Sequence, residues 1–156
     1  MPEIILTGVA GFIGSFVAAA LLDRGEQVLG LDSLNSYYDP ALKQARLRRL
    51  EGRNGFRFRQ VDIADEAALK AALADVLPRT RHIVHLAAQA GVRYSIQQPE
   101  EYVRANLNGH FNMLQMARQA PNLAHLVYAS SSSVYGASKK VPFALDDPAD
   151  HPVSLY

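Results

Sequence analysis

The sequence contains no cysteine among its 156 residues, which excludes disulfide frameworks, thiolate metal sites and cysteine nucleophiles. It also has almost no net charge, since 16 Lys and Arg balance 15 Asp and Glu, and this gives no electrostatic case for nucleic-acid binding. No apolar run is long enough to cross a bilayer, and no basic region precedes the first apolar stretch, as a signal peptide would require. The remaining composition, 49% hydrophobic and 20% charged, is typical of one globular domain, with the cytoplasm as its default location.

Strand-like and helix-like segments alternate along the chain. Short apolar runs predict strands at 3–7, 27–31, 56–61, 82–86 and 123–128. Apolar stripes and capping residues predict helices at 12–24, 40–50, 66–77 and 99–120. Short connections of this kind predict an α/β fold, namely a Rossmann-like, doubly wound parallel sheet that stops after its fifth strand. The prolines after Val134 predict an irregular tail.

A glycine-rich loop joins the first predicted strand to the first helix. Gly8, Gly11 and Gly14 form the spacing G-x-x-G-x-x-G. In dinucleotide-binding folds such glycines allow a tight turn, close approach of a pyrophosphate and close packing of helix on strand. The N–H groups of Phe12 and Ile13 would lie at the helix N-terminus, where an anion is favoured. The loop therefore predicts a dinucleotide site, with a glycine-rich turn that binds nothing as the alternative.

Acidic residues follow the second and third predicted strands. Asp32, with Asn35 in the same turn, can accept hydrogen bonds from the adenosine ribose and would repel the 2′-phosphate of NADP, so NAD is the expected cofactor. The alternative is an ordinary turn aspartate. Asp62 and Ile63 stand where an adenine ring would lie. Asp62 could accept from the adenine amino group or cap the helix that follows.

Five segments carry a family resemblance. They are T-G-V-A-G-F-I-G at 7–14, L-D-S-L-N-S-Y-Y-D-P at 31–40, H-L-A-A-Q-A-G-V-R-Y-S at 85–95, Y-A-S-S-S-S-V-Y-G at 128–136 and H-P-V-S-L-Y at 151–156. Together they resemble the extended short-chain dehydrogenase/reductases, and within that family the NAD-dependent nucleotide-sugar epimerases and dehydratases. The resemblance spans the whole chain but only the first half of such an enzyme. Residues 1–156 are thus expected to be an NAD-binding Rossmann domain without its substrate domain.

The resemblance implies a 4-epimerase for a UDP-sugar of the UDP-glucuronate or UDP-galactose type, which works by transient oxidation at C4. Ser131 and Tyr156 match the family's catalytic serine and tyrosine, and its lysine would fall at position 160, after the last residue. Leu86, Ala87 and Ala88 match the family's cofactor-binding positions at the end of the fourth strand. Ala87 and Ala88 are small, which suits close approach of the backbone to the cofactor. Asn106 matches an asparagine that braces the active-site loop.

A second Y-x-x-x-K pattern competes for the catalytic role. Tyr135 and Lys139 have this spacing, but the chemistry needs both side chains on one face of a helix. Tyr135 follows a strand directly, has Gly136 beside it and lies only a few residues from Ser131. Tyr156 is far enough along the chain to return on another element, so this geometry and the resemblance together favour Tyr156.

The neighbours of Ser131 bear on the reaction class. The family's 4,6-dehydratases carry an Asp-Glu pair where this sequence has Ser132 and Ser133, and two serines supply no strong acid and base, so epimerisation is favoured. Arg93 is a candidate contact for a substrate phosphate or carboxylate, with a solvated loop arginine as the alternative. The histidines show no metal-ligand spacing, so no metal is expected. The basic stretch from Lys43 to Arg59 is interpreted as solvated surface.

Two alternatives to an active epimerase remain open. One is a non-catalytic, NAD-binding fragment or module, and the other is a dehydratase or decarboxylase of the same family. The predicted fifth strand would also form an apolar sheet edge, and the helix at 99–119 would lack the partner helix that it has in the family, so self-association is expected. The competing possibility is that the tail at 137–156 covers that edge.

Overall fold

A computed structural model describes residues 3–156. Five strands alternate with helices along this part of the chain. The strands are β1 (Glu3–Thr7), β2 (Gln27–Asp32), β3 (Phe56–Gln60), β4 (Thr80–His85) and β5 (His125–Tyr128). The helices are α1 (Phe12–Asp23), α2 (Pro40–Arg48), α3 (Glu66–Leu73), α4 (Val92–Gln97), α5 (Pro99–Tyr102) and α6 (His110–Gln119). A π-helical segment, Val103–Gly109, joins α5 to α6, and short 3₁₀ turns occupy Leu77–Arg79 and Ser132–Tyr135.

The five strands form one parallel sheet in the order β3-β2-β1-β4-β5. The register sets Ile5 of β1 beside Leu29 of β2 and Ile83 of β4. This architecture confirms the predicted doubly wound α/β fold. Because the chain leaves β1 for β2 on one side and later returns to β4 on the other, the carboxyl ends of β1 and β4 flank a switch point, where such sheets bind ligands.

Each face of the sheet has its own hydrophobic core. On one face, residues from the sheet, α3 and α6 form a cluster of eleven buried side chains around Ile5 and Ile83. On the other face, α1 and α2 cover a cluster of eight around Leu6 and Val28. The alternation of Ile5 and Leu6 between the two clusters follows the two-residue period of a strand. Helices therefore hold β1 from both sides and fix the position of the loop that follows it.

Helix α1 packs on the sheet with only part of its apolar stripe, since Val17 and Leu21 pack against the core whereas Phe12, Ile13 and Phe16 face solvent. An apolar stripe ordinarily faces the core, yet Phe12 is 67% exposed and Phe16 is 54% exposed. The buried positions of the helix are occupied mostly by small residues, Gly14, Ser15, Ala18 and Leu22. Small side chains let the helix axis approach the sheet closely, and the larger rings are thereby directed outward. Arginine side chains cover these rings, with Arg46 6.0 Å from the centre of Phe12 and Arg49 5.5 Å from that of Phe16.

The segment between β4 and β5 is more structured than the sequence predicted. The predicted long helix after Pro99 is present and ends at Gln119, but its turns from Val103 to Gly109 are π-helical. An additional short helix, α4, precedes it where only a loop was predicted. Across residues 3–156, no helix combines the length and apolar character needed to cross a lipid bilayer.

Strand β5 forms one edge of the sheet within the described residues. Its side chains remain largely in solvent, with Val127 45% exposed and Tyr128 56% exposed. The tail at 137–156 has no strand and instead folds back on itself, where the Ala137 N–H donates to the His151 carbonyl at 3.0 Å. The tail therefore leaves the edge uncovered.

Candidate functional site

The glycine loop after β1 forms a backbone cradle at the switch point of the sheet. Gly8 has a φ of +71°, and a Cβ atom there would lie 2.9 Å from the Ala87 nitrogen. A Cβ atom on Gly14 would lie 2.1 Å from the Gly8 carbonyl oxygen, so no larger residue fits. No side chain caps α1 at Gly11, which leaves the first N–H groups of the helix available to an anion. The predicted roles of the glycines match this geometry, which suits a pyrophosphate.

Asp32 is buried at the end of β2 and accepts two backbone hydrogen bonds. Its carboxylate oxygens accept hydrogen bonds from the N–H groups of Ala10 at 3.1 Å and Leu34 at 2.9 Å. These bonds hold the carboxylate rigidly beside the glycine loop. Because an ionised carboxylate has about four acceptor sites, two remain for other donors such as ribose hydroxyls. Asp32 is therefore more than an ordinary exposed turn residue.

Lys43 of α2 is a site residue that the sequence interpretation missed. It was assigned to solvated basic surface, but it is 7% exposed and lines the cleft. Its Nζ lies 3.5 Å from an Asp32 oxygen and donates to Asn35 at 2.8 Å. The burial follows from its place on the inner face of α2, one turn before buried Leu47. The helical position of Lys43 relative to Leu47 was the signal that could have revealed it.

Asp62 points into the same cleft and does not cap the helix that follows it. One of its oxygens accepts from the Ala64 N–H at 2.9 Å, and the other forms an ion pair with Arg104. The cap of α3 is Asp65, whose side chain accepts from the Ala68 N–H. Of the two possibilities for Asp62, the capping role is thus wrong. Arg104, which the sequence interpretation did not include, lines the cleft as well.

The segment after β4 is fixed by a threonine hydroxyl. Thr7 accepts from the N–H groups of Leu86 and Ala87 at 3.1 and 3.0 Å and lies 2.7 Å from Nδ1 of His85. Since its oxygen already accepts two bonds, we assign its single proton to Nδ1, which leaves the imidazole neutral. Burial, and secondarily the neighbouring His110, lower the pKa of His85 to about 4, in agreement with that assignment. These bonds hold the backbone that faces Gly8.

Asn106 braces the same segment from the other side. Its Oδ1 accepts from the Gln89 N–H at 2.7 Å, and its Nδ2 donates to the Gln89 carbonyl at 2.9 Å. Both backbone groups of one residue are therefore held by one side chain. This is the loop-bracing role that the family resemblance implied for Asn106.

Together these elements border an open cleft of about 130 Å³ along the carboxyl ends of the strands. Its lining includes most of the predicted cofactor residues: Gly8, Gly11, Asp32, Asn35, Asp62, Ile63, Leu86, Ala87 and Ala88. The side chains of Phe12 and Ile13 point away into solvent, and Gly14 packs against Gly8 instead of lining the cleft. A glycine cradle for phosphate with a buried carboxylate beside it fits a dinucleotide.

Tyrosines that the sequence interpretation did not assign border the cleft. Tyr37 lines it, and the ring of Tyr37 lies 4.7 Å from that of Tyr94. The buried Tyr102 directs its hydroxyl to the carbonyl of Ala90 at 2.7 Å. Burial raises the pKa of both Tyr37 and Tyr102, so these phenols are neutral near pH 7 and act as hydrogen-bonding and packing groups.

The predicted catalytic serine follows the exposed edge strand. Ser131 is the N-cap of the 3₁₀ turn Ser132–Tyr135, and its Oγ accepts from the Ser133 N–H at 3.3 Å. Ser131 and Ser132 are exposed and Ser133 is half-buried. The hydroxyls of this turn are thus accessible to a ligand at the carboxyl end of the sheet.

Tyr156 and Tyr135 have different surroundings. Tyr156 packs edge-on against Tyr102 of α5, with ring centres 5.8 Å apart. Tyr135 ends its 3₁₀ turn, Gly136 follows with a φ of +50°, and Lys139 lies outside any helix. The pair Tyr135 and Lys139 therefore lacks the common helical face that the chemistry needs.

Arg93 lies outside the cleft lining. It is an exposed residue in the first turn of α4 and is not among the residues that line the cleft. Its role in substrate binding stays a prediction.

Comparison with known proteins places these features in a family. The family model described as GDP-mannose 4,6 dehydratase matches residues 5–156. UDP-glucuronate 4-epimerase 3 of Arabidopsis thaliana is 51% identical over 154 residues, which make up 99% of this chain and 35% of the plant protein. Protein CapI of Staphylococcus aureus is 46% identical, and the match covers 45% of its length. The chain therefore spans less than half the length of these relatives.

Solved structures show the same fold. A tyrosine-to-phenylalanine mutant of UDP-glucuronic acid 4-epimerase from Bacillus cereus, in complex with UDP-4-deoxy-4-fluoro-glucuronic acid and NAD, superposes with a TM-score of 0.86 at 31% identity. That match covers 98% of this chain and 47% of the Bacillus chain. UDP-glucose 4-epimerase of Thermus thermophilus, in complex with NAD, gives a TM-score of 0.79 at 32% identity and covers 99% and 46% of the two chains.

Proposed function

Because this chain belongs to the GDP-mannose 4,6 dehydratase family, we propose that it is the NAD-binding part of a nucleotide-sugar 4-epimerase of the UDP-glucuronate or UDP-galactose type. Residues 1–156 would form the Rossmann domain of that enzyme, and the substrate domain would come from outside them. The observation that carries the proposal is the buried Asp32 carboxylate beside the glycine cradle. Named relatives that are 4-epimerases, and solved neighbours with NAD, support it.

Different residues of the cleft would bind different parts of the cofactor. The glycine loop and the N-terminus of α1 would hold the pyrophosphate, since they offer free N–H groups without a Cβ atom in the way. Asp32 would accept from the adenosine ribose hydroxyls, and Asp62 with Ile63 would border the adenine. A 2′-phosphate would approach the Asp32 carboxylate, so NAD is expected to bind more tightly than NADP.

The reaction class follows from the serine turn. A dehydratase must remove a proton and protonate a leaving hydroxyl, which needs an acid and a base. Ser132 and Ser133 provide neither, whereas their hydroxyls can donate to sugar or carboxylate oxygens of a substrate. This favours epimerisation over dehydration, although the family model carries a dehydratase description.

The catalytic residues would act on the sugar 4-hydroxyl. Bound NAD would supply the hydride acceptor and donor for transient oxidation at C4. Tyr156 would act as general base and take the proton from the hydroxyl, and it would return the proton after the 4-keto sugar has rotated to present its other face. Ser131 would donate a hydrogen bond to the same oxygen and stabilise the charge that develops there.

Calorimetric titration of the chain with NAD and NADP tests the cofactor assignment. We expect NAD to bind more tightly, and Asp32→Asn to reduce that preference by about tenfold or more, because a carboxylate that repels phosphate becomes a neutral amide. Asp146→Asn, in the exposed tail, is the matched control and should leave both affinities unchanged. Equal binding of NAD and NADP by the unmodified chain would refute the role of Asp32.

An epimerase assay tests the reaction. The 156-residue polypeptide is expected to be inactive on UDP-glucuronate and UDP-galactose, because it spans less than half the length of its relatives and the substrate domain proposed to hold the sugar against the cofactor lies outside it. The same chain extended through a relative's remaining domain should be active, and Tyr156→Phe in that chimera should remove activity while NAD binding persists. Loss of activity on Tyr135→Phe but not on Tyr156→Phe would reverse the assignment of the base.

A further inference from the structure

Tyr37, in the loop between β2 and α2, reaches the segment that follows β4. It is half-buried, whereas its neighbours Ser36 and Tyr38 are exposed. Its ring lies 4.7 Å from that of Tyr94 in α4. A Cβ atom on Gly91, the N-cap of α4, would lie 2.7 Å from the Tyr37 hydroxyl oxygen, so Tyr37 uses room that only a glycine leaves there. The loop after β2 is therefore fitted against the start of α4.

This contact bridges the switch point of the sheet. Strands β2 and β4 are the two neighbours of β1. Tyr37 follows β2 and Tyr94 follows β4, so their contact joins segments that leave the sheet on opposite sides of β1. Tyr37 also lines the cleft together with Gly8 and Gly11 of the glycine loop, which continues from β1. The ring pair is thus a bridge beside the proposed pyrophosphate site.

The two ends of this bridge are anchored at different points. Just before α4 begins, the Tyr102 hydroxyl donates to the Ala90 carbonyl at 2.7 Å. At the base of the loop after β2, the Leu34 N–H and the Asn35 side chain are hydrogen-bonded at 2.9 and 2.8 Å. The ring contact of Tyr37 lies further along, at the tip of the loop. The tip can therefore swing outward while the bonds at the base and before α4 stay intact.

The cleft is smaller than a dinucleotide requires. Its volume is about 130 Å³, whereas pockets that hold small organic ligands typically measure about 300–1,000 Å³. A dinucleotide can therefore lie along the whole cleft only when a bordering segment moves outward. The tip of the loop at 33–39 is a segment that can do so without loss of its anchors.

We propose that Tyr37 and Tyr94 form a latch that controls the entry and release of the dinucleotide. This inference rests on the proposed NAD-binding function. The latch opens to let the cofactor pass and closes over it afterwards, so it sets exchange rates more than affinity. Retention matters in the proposed epimerisation, because the hydride taken from C4 must return to the same sugar. Loss of the reduced cofactor between the two transfers would leave a 4-keto sugar and stop the reaction halfway.

The variant Tyr37→Ala tests the latch. Stopped-flow fluorescence of NADH measures its association directly and its dissociation after displacement by excess NAD. We expect both rate constants to increase by about two- to tenfold, as the loss of one aromatic pair implies, while Kd changes by less than about twofold. Tyr37→Phe keeps the ring and should retain the rates of the parent. Tyr128→Ala removes an exposed tyrosine from β5, is the matched control, and should change neither rate constant.

Cross-linking gives a second test, because the chain has no cysteine of its own. The two thiols of Tyr37→Cys/Tyr94→Cys can be joined by a short bismaleimide. The cross-link should slow uptake and release of NADH by about tenfold or more relative to the same variant before linking, and NADH bound beforehand should stay trapped. The single variants Tyr37→Cys and Tyr94→Cys, treated with the same reagent at low protein concentration, form no bridge and should not show this slowing.

The outcomes separate the latch from the proposed function. If the parent chain binds neither NAD nor NADH at equilibrium, the proposed function fails and the latch fails with it. If the parent binds NADH, but Tyr37→Ala and the cross-linked chain exchange it at the rates of their controls, only the latch is refuted. Faster dissociation with unchanged association in Tyr37→Ala would also refute it, because that pattern belongs to an ordinary contact with the cofactor.

Discussion

The buried ion pair between Lys43 and Asp32 allows a quantitative prediction for Lys43→Met. Both side chains are at least nine-tenths buried, and Nζ lies 3.5 Å from the carboxylate. At an effective dielectric constant of about 20, two unit charges at this distance attract by about 5 kcal/mol before desolvation is subtracted. Removing one partner of a buried pair typically costs about 3–5 kcal/mol, because the remaining charge stays buried.

The remaining contacts of Asp32 reduce that cost. The carboxylate keeps its bonds from the Ala10 and Leu34 N–H groups after the lysine is removed. We therefore expect a net loss of about 2–3 kcal/mol in the free energy of unfolding. For a domain of this size, each kcal/mol lowers the melting temperature by about 2–4 °C, which gives a total decrease of about 4–12 °C. Urea unfolding and thermal melts measure both quantities.

A matched variant distinguishes burial from the mere loss of a lysine. Lys70 pairs with Glu66 at 2.5 Å on the surface of α3, where both side chains are at least half exposed. Such a pair contributes about 0.3–0.5 kcal/mol, so Lys70→Met should lower the melting temperature by at most about 2 °C. The double variant Lys43→Met/Asp32→Asn should recover much of the loss, since no unpaired charge remains. An effect of Lys43→Met as small as that of Lys70→Met would refute the reasoning.

Three further predictions concern pH, association and the brace of the cleft. The pKa of His85 is lowered to about 4 from 6.5, so the stability that the neutral imidazole contributes is complete above about pH 6.5 and is lost as the pH falls toward 4. Between about pH 7 and pH 5, urea titrations should show that the free energy of unfolding falls by about 2 kcal/mol more in the parent than in His85→Gln. Equal decreases would contradict the neutral imidazole. The chain should self-associate through the β5 edge or through exposed Leu107 and Phe111 of the long helix. Light scattering should then show an average mass that rises with protein concentration, and this mass should be lower for Val127→Lys or for Leu107→Lys/Phe111→Lys. A monomer at every concentration would disprove this. Asn106→Ala should weaken NAD binding more than Asn108→Ala on the exposed side of the same segment, because it frees the backbone of Gln89; calorimetry decides, and equal affinities would show that the brace is dispensable.

Most of the predicted residues that line the observed cleft come just after a strand. Gly8, Asp32 and Asp62 come at the ends of successive parallel strands, and those ends meet at one edge of the sheet by construction. Asp39 and Asp65 were identifiable as helix caps because the hydrogen bond of a cap is local. The connection rules of α/β folds restrict the possible strand orders without fixing a single one. Local signals were therefore sufficient for the fold class and for the part of the cleft that Asp32 and Asp62 line.

Tertiary packing decided the features that the sequence interpretation missed. The apolar residues of α1 form a stripe, but the close approach that Gly14 and Ala18 permit leaves Phe12 and Phe16 of that stripe in solvent. Lys43 belongs to a basic run whose other members lie mostly on the surface, and only the orientation of α2 buries it against Asp32. In both cases the residue pattern predicted the helix correctly but did not predict which of its side chains are buried.

The connection between the two sides of the cleft depends on contacts between distant residues. Tyr37 lies in the loop after β2, its ring meets Tyr94 of α4 at 4.7 Å, and Tyr94 lies 6.3 Å from Tyr102. Tyr102 in turn meets Tyr156 at 5.8 Å. Each aromatic pair of this kind adds about 0.5–1.5 kcal/mol to the energy of burial, so the series ties the loop beside Asn35 to the proposed catalytic tyrosine. Since its members are brought together only by the completed fold, no spacing along the chain predicts them, and the position of Tyr156 against Tyr102 had to come from the structure.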